Sequence, residues 1–313
     1  GGVGGPTSTG VGRGRGGGMG GCRRRAENGL ASADGGEAWK LVYVGTPAAA
    51  VRPLEAVAAA GHEIALGVTQ PDRRRGRGGG LIESPVKTAA GALGVPVARP
   101  EQAGDIVDDV RALNADLGVV VAFGQMLPAA LLDAISGGLV NVHFSLLPRW
   151  RGAAPVERAI LAGDAETGVC LMRVDVGLDT GDVFARATQP IDNSITADDL
   201  TAQLALLGAQ MLVDGPATGL GDGEPQVGEP TYAAKITPAD LVLDLAKSAD
   251  ELVRITRLGR AWTTVKGKRL IVWEARVGED GSFEPLVVQP EGKGRIAATE
   301  WRRGSGKDAV LGS

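Results

Sequence analysis

The chain has 313 residues, 43% of them hydrophobic and 22% charged; its net charge of −4 conceals −10 over residues 41–230 and +3 on either side. Two His (His62, His143) and two distant Cys (Cys22, Cys170) exclude a zinc site of the usual Cys/His kind and a disulfide framework. The sequence lacks the apolar run of about 18 residues that a membrane span needs, and the length suggests two domains.

Residues 1–37 are Gly-rich, with Arg13, Arg15 and Arg23–Arg25 and almost no apolar side chains. Such a composition cannot offset the entropy of ordering, so residues 1–39 are expected to form a disordered tail. The tail lacks the apolar stretch of a secretory signal, and its glycines argue against the amphipathic helix of an organelle transit peptide. The expectation is a cytoplasmic protein, with organelle import through the Arg-rich leader as the alternative.

From Lys40 the pattern is α/β. Lys40–Gly45 (KLVYVG) is a strand closing on Gly45-Thr46-Pro47, followed by a helix to about Ala60. Glu63–Thr69 reads as a strand, and Gln70–Ser84 as a basic loop holding Arg73, Arg74, Arg75 and Arg77, with Lys87 just beyond. Pro85–Leu93 reads as a helix, Val95–Ala98 as a short strand and Asp105–Leu113 as a helix. Leu117–Phe123 is a continuous apolar run, as in a strand buried on both faces. Leu139–His143 is a further strand, with a Pro-containing loop after it. Then come a helix over Ala153–Ala162, strands over Gly168–Val174 and Val183–Ile191, and a helix over Ala197–Asp214. This alternation predicts a doubly wound sheet with right-handed crossovers over residues 40–214. Residues 215–230 are a Gly/Pro linker with few anchoring side chains. In 231–313, β-rich stretches at Trp262–Val265, Arg269–Ala275, Leu286–Gln289 and Gly294–Ala298 predict a small β domain.

Neither G-x-G-x-x-G after a strand nor a Walker A pattern is present, which argues against a dinucleotide enzyme. The informative segment is Asn141–Pro155 (NVHFSLLPRWRGAAP). Asn141 and His143, two apart at the carboxyl end of a predicted strand, share one face at the edge where open α/β sheets bind ligands. An isolated His there fits either a structural or a catalytic role. Leu146-Leu147-Pro148 offers apolar surface for a flat heteroaromatic ligand, and Arg149 and Arg151 flanking Trp150 suit an anionic or aromatic partner. The second cluster, Asp175–Asp182 (DVGLDTGD), fits either a solvated turn or a carboxylate that orients the imidazole.

Together, Asn141–Pro155 and Leu178–Asp182 (LDTGD) resemble the methionyl-tRNA formyltransferases. Val44–Pro47, Thr69–Arg73, Ser84–Lys87, Ala162–Gly168 and Tyr232–Thr237 add to the likeness, which runs from about residue 40 into the C-terminal part. The resemblance implies a Rossmann-like formyltransferase domain followed by an OB-like β-barrel that binds tRNA. It implies transfer of a formyl group from 10-formyltetrahydrofolate to methionyl initiator tRNA, without a metal, by a chain taken to be a monomer. By the family pattern Asn141, His143 and Asp179 form the catalytic trio. Asn141 and His143 stabilise charge developing on the formyl oxygen, and Asp179 orients the imidazole and helps remove the amine proton. Ser145, Leu146, Leu147 and Pro148 line the folate site, and Gln125, Met126 and Leu127 give backbone contacts to the pterin. Arg73, Arg74, Arg75, Arg77 and Lys87 face the tRNA acceptor end. Lys266 and Lys268 contact the tRNA from the C-terminal domain, with Arg254, Arg257, Arg260 and Arg269 as further candidates. The basic loop departs from the family pattern by trading a proline and two lysines for arginines and glycines, and the C-terminal end is abbreviated.

Overall fold

The computed structural model describes residues 1–2, 38–74, 80–218, 222–305 and 310–313. The expected tail, apart from its ends, and Arg75 and Arg77 lie outside the described residues; for Arg73 and Arg74 only the backbone is described.

A seven-stranded sheet holds the first part together. Its strands are β1 (Lys40–Gly45), β2 (Glu63–Val68), β5 (Val97–Ala98), β6 (Leu117–Val121), β7 (Leu139–His143), β9 (Glu166–Arg173) and β10 (Val183–Pro190), in the order β10-β9-β7-β6-β1-β2-β5. Between β2 and β5 lies a two-residue ladder, β3 (Arg73–Arg74) with β4 (Leu81–Ile82). Strands β5, β2, β1, β6 and β7 run parallel, whereas β9 is antiparallel to both β7 and β10. The sheet is therefore mixed, which the pattern of apolar runs alone does not reveal. The chain winds outward from β1 to β5 and then crosses back to β6 on the other side of β1. That reversal opens a crevice at the carboxyl ends of β1 and β6.

Helices cover both faces. Helices α1 (Val51–Ala59), α2 (Pro85–Ala92), α5 (Pro155–Ala162) and α6 (Ala197–Thr218) enclose one core with Tyr43, Val119, Val142 and Leu171. Helices α3 (Val107–Leu113) and α4 (Ala129–Leu132) enclose the other with Val42, Val44, Val120 and Leu139. Helix α6 lies directly on β7, where a Cβ at Gly208 would come within 2.5 Å of Val142 Cγ1. Alternation along β7 then decides the site: Val140 and Val142 point to the α6 side, and Asn141 and His143 to the opposite face.

The last part contains a four-stranded antiparallel sheet of β12 (Ala261–Val265), β13 (Lys268–Val277), β14 (Phe283–Pro290) and β15 (Ile296–Ala297). Helices α7 (Ala249–Thr256) and α8 (Ala298–Ser305) share a core with it that includes Leu252, Leu270, Val272, Val288 and Trp301. Helix α7 starts with a reciprocal Ser248–Glu251 capping box. Leu161 of α5 packs against this C-terminal core. Polar bonds run across the same junction. Arg158 pairs with Asp240 at 2.9 Å, and Arg254 Nε donates to the Leu161 carbonyl. Buried Arg257 donates to the carbonyls of Ile195 and Asp192. Arg254 and Arg257, expected among the tRNA candidates, are turned inward to the protein's own carbonyls. Among the described residues, no helix is long and apolar enough to cross a membrane.

Candidate active site

Beneath the crevice lies a cavity of about 520 Å³, within the range of small-molecule sites. Its floor is the carboxyl ends of β6 and β7, with Val120, Asn141 and His143. One wall is Phe123–Leu127 and the other is Asp175–Asp179, apart from Val176. Met126 and Leu178 are exposed at the mouth, apolar surface suited to the face of a flat ring.

His143 is 5% exposed. Its Nε2 lies 2.9 Å from the Trp150 carbonyl oxygen, which can only accept, so this nitrogen carries the proton. Nδ1 then faces Oδ2 of Asp179 at 3.7 Å, an electrostatic approach longer than a hydrogen bond. Asp179 is itself fixed: its Oδ2 accepts the Gly152 N–H at 2.7 Å, and its backbone has the left-handed φ of 50°. Asn141 is half-buried, lines the same cavity as His143, and carries two amide N–H donors. Of the three carboxylates in 175–182, Asp179 is the one turned to the imidazole.

The loop after β7 folds back to form this arrangement. Trp150, with φ of 63°, donates its N–H to Thr231 Oγ1 and its indole Nε1–H to Asp164. Arg149 forms a bidentate pair with Asp164 and stacks over Trp150 at 4.5 Å. The two-residue strand β8 (Arg151–Gly152) pairs in parallel with β11 (Tyr232–Ala233). Gly152 has φ of 119°, and a Cβ there would come within 2.9 Å of the Ala233 carbonyl oxygen. Arg151 donates twice to the side chain of Gln226. Both arginines expected to meet an anionic or aromatic partner are thus engaged by the protein. Ala122, at φ 48°, adds a third strained non-glycine residue beside Trp150 and Asp179, and such strain gathers at functional sites.

The trio Asn141, His143 and Asp179 lines one cavity together with Gln125, Met126 and Leu127. Ser145, Leu146, Leu147 and Pro148 do not line it. Ser145 is buried and donates to the Arg149 carbonyl, Leu147 packs with Cys170, Met172 and Val183, and Leu146 borders a separate depression with Trp150 and Asp164. Burial pushes the Cys170 thiol pKa up, which keeps it in its unreactive form. Lys87 is a strut at the foot of the basic loop: its Nζ bonds Asp72 at 2.8 Å and Glu83 at 2.9 Å, and Asp72 also takes Arg99. The hydrogen bonds that Lys87 donates to Asp72 and Glu83 raise its pKa. Lys266 and Lys268 are exposed at the β12–β13 turn, beside Arg269 stacked on Trp262 at 4.4 Å.

Sequence reasoning missed Gln226, the Trp150 carbonyl and the Gly152 N–H. Gln226 stands in a stretch expected to anchor little, and main-chain donors carry no side-chain signature. Among the described residues, no group of three or more His, Cys, Asp or Glu could hold a metal ion.

A family model described as "Formyl transferase" matches residues 40–215, so the chain belongs to the formyl transferases. The methionyl-tRNA formyltransferase of Symbiobacterium thermophilum is 40% identical over 302 residues, 85% of this chain and 93% of that protein. By that similarity the chain belongs to the methionyl-tRNA formyltransferase family. Two solved structures share the fold. Methionyl-tRNA formyltransferase from Clostridium thermocellum superposes with a TM-score of 0.57 at 14% identity, over 82% of this chain and 100% of that one. HypX from Aquifex aeolicus in complex with tetrahydrofolic acid gives 0.56 at 14%, over 85% of this chain and 47% of HypX.

Proposed function

We propose that this chain transfers a formyl group from 10-formyltetrahydrofolate to the amino group of methionine carried on initiator tRNA. The observation that carries the reading is the convergence of Asn141, His143 and Asp179 on one apolar-rimmed cavity at the carboxyl edge of the sheet. The cavity suits a folate. Its size, its Met126 and Leu178 rim and the Gln125–Leu127 segment along one wall match a flat heterocycle that needs polar contacts along one edge.

The folate supplies an electrophilic formyl carbon. The incoming amine forms the new N–C bond, the bond from that carbon to the folate nitrogen breaks, and one proton passes from the amine to the departing nitrogen. This chain's residues act on the charges that result. The Asn141 amide donates to the formyl oxygen as it becomes negative, and a proton on His143 Nδ1 does the same from the adjacent position. Each such donor is worth about 2.7–4 kcal/mol of barrier. Asp179 stabilises that Nδ1 proton and, through water, takes up the proton of the amine and passes it on toward the departing nitrogen. The Trp150 carbonyl keeps the ring from turning, so Nδ1 stays on the cavity side.

The C-terminal sheet, read as an OB-like barrel in a domain of residues 231–313, and the Arg73–Lys87 segment would meet the tRNA through phosphate contacts. The remaining parts of this reading are a catalytic domain of 40–214, a linker of 215–230, a monomer and a cytoplasmic setting. The test offers 10-formyltetrahydrofolate with methionyl initiator tRNA, uncharged tRNA and an amino-sugar nucleotide in parallel reactions. Formylation of the charged tRNA alone is expected; formylation of the sugar alone contradicts the reading.

A further inference from the structure

Gln226 stands in a Gly/Pro-rich stretch, yet every polar atom of its side chain is used. Its Nε2 donates to the carbonyl oxygens of Asp179 and Gly181, each at 2.8 Å. Its Oε1 accepts from Arg151 Nε at 3.0 Å and Nη2 at 2.6 Å. A primary amide has two donors and two lone pairs, so no capacity remains for a ligand.

Both arms end on the groups that fix Asp179. The donor arm grips Asp179 itself and Gly181 beyond it, across the turn in which Asp179 takes its left-handed φ of 50°. The acceptor arm holds Arg151, whose neighbour Gly152 gives its N–H to Asp179 Oδ2. The backbone beneath Gln226 is pinned as well, because Glu224 exchanges two main-chain hydrogen bonds with Val183. A non-glycine residue in this conformation persists when its surroundings over-determine it, and two carbonyl bonds from one planar amide do so. We propose that Gln226 is a positioning residue for formyl transfer: it sets where the Asp179 carboxylate stands opposite Nδ1 of His143. This rests on the formyl-transfer reading above, and acts through Asp179 without contact to the reacting atoms.

The test compares two variants of the full chain. Gln226→Ala removes both arms, whereas Gln226→Glu keeps the acceptors for Arg151 and cannot donate to the two carbonyls. Two measurements are made, ring-nitrogen NMR of the labelled protein and steady-state formylation of methionyl-tRNA. The sequence has only two His. His62, whose ring lies tilted against Trp39 with centroids 5.9 Å apart, serves as the internal reference. In both variants the His143 ring signals shift and those of His62 stay in place. The kcat falls by up to about 100-fold, as for a reacting group displaced by about 1 Å, while KM for folate and tRNA is unchanged. A residue that merely braces the fold lowers the melting temperature and leaves kcat and the His143 signals alone. Unmoved His143 signals, or unchanged kcat, in either folded variant overturn the proposal. Should Gln226→Ala not fold, Gln226→Glu gives the same reading, since it keeps the size and the Arg151 contact. Shifted signals in a chain whose wild type transfers no formyl group would instead overturn the formyl-transfer reading and leave the positional claim standing.

Discussion

The Nε2–H of His143 is held by a main-chain carbonyl, which leaves Nδ1 to face Asp179 and the cavity. At the scale of single residues, chemistry here depends on backbone groups as much as on side chains. Gly152 is the clearest case, because its N–H holds Asp179 while its φ of 119° and its approach to the Ala233 carbonyl exclude a side chain. Gly152→Ala is therefore expected to cost about 1–3 kcal/mol of stability through backbone strain. It should also lower kcat, because β8 must move away from β11 and take the N–H with it. Denaturant unfolding and single-substrate kinetics measure the two effects. A variant with wild-type stability and kcat would contradict this role. The spacing of Asn141 and His143 at a strand end was legible in the sequence as a candidate pair, whereas Asp179 was singled out from its neighbouring carboxylates only by the family resemblance. The atoms that hold these side chains were not legible, since a carbonyl or an amide N–H is common to every residue.

Among the elements, β1 and β7 were readable to the residue, as apolar runs ending at a Gly-Thr-Pro turn and at the Asn-x-His pair. The two-residue strands β8 and β11 left no periodicity to read, although they bring residues 151 and 232 together. The antiparallel direction of β10 did have a signal: only nine residues separate β9 from β10, too few for a crossover helix. Helix α7 had one too, in the Ser248-x-x-Glu251 box, a helix-start signal set just before a β-rich stretch. The junction between α5 and the C-terminal part has its own measurable consequence. Arg158, followed by Thr237, lowers the Asp240 pKa from 3.8 to about 2. A depressed carboxylate stabilises the fold above its unfolded pKa, and that contribution is lost as pH falls through the folded value. Asp240→Asn is thus expected to destabilise by about 1 kcal/mol at neutral pH, allowing for solvent screening. The difference from wild type should shrink between about pH 4 and pH 2. Thermal melts over that range check it, and a gap independent of pH would rule the pairing out.

Across the whole molecule, the charge asymmetry of the sequence takes on a spatial meaning. Arg149, Arg151, Arg158, Arg254 and Arg257 are committed to carboxylates, an amide oxygen and carbonyls of the protein itself. Lys266, Lys268 and Arg269 remain exposed on the C-terminal sheet. Composition could not distinguish these two groups, because an arginine that braces a junction and one that meets a phosphate look alike in sequence. The doubly wound order, the site at its reversal point and the packing of Leu161 against the C-terminal core bind catalytic edge and C-terminal sheet into one molecule. The claim that joins these scales is that Asn141, His143 and Asp179 carry formyl transfer to methionyl-tRNA. Single-turnover formylation by wild type and His143→Ala, with folate affinity measured alongside, tests it most directly. Wild type is expected to formylate methionyl-tRNA, and His143→Ala to be slower by a factor of about 100–1,000 with folate binding retained. Formylation by His143→Ala at the wild-type rate would contradict the account.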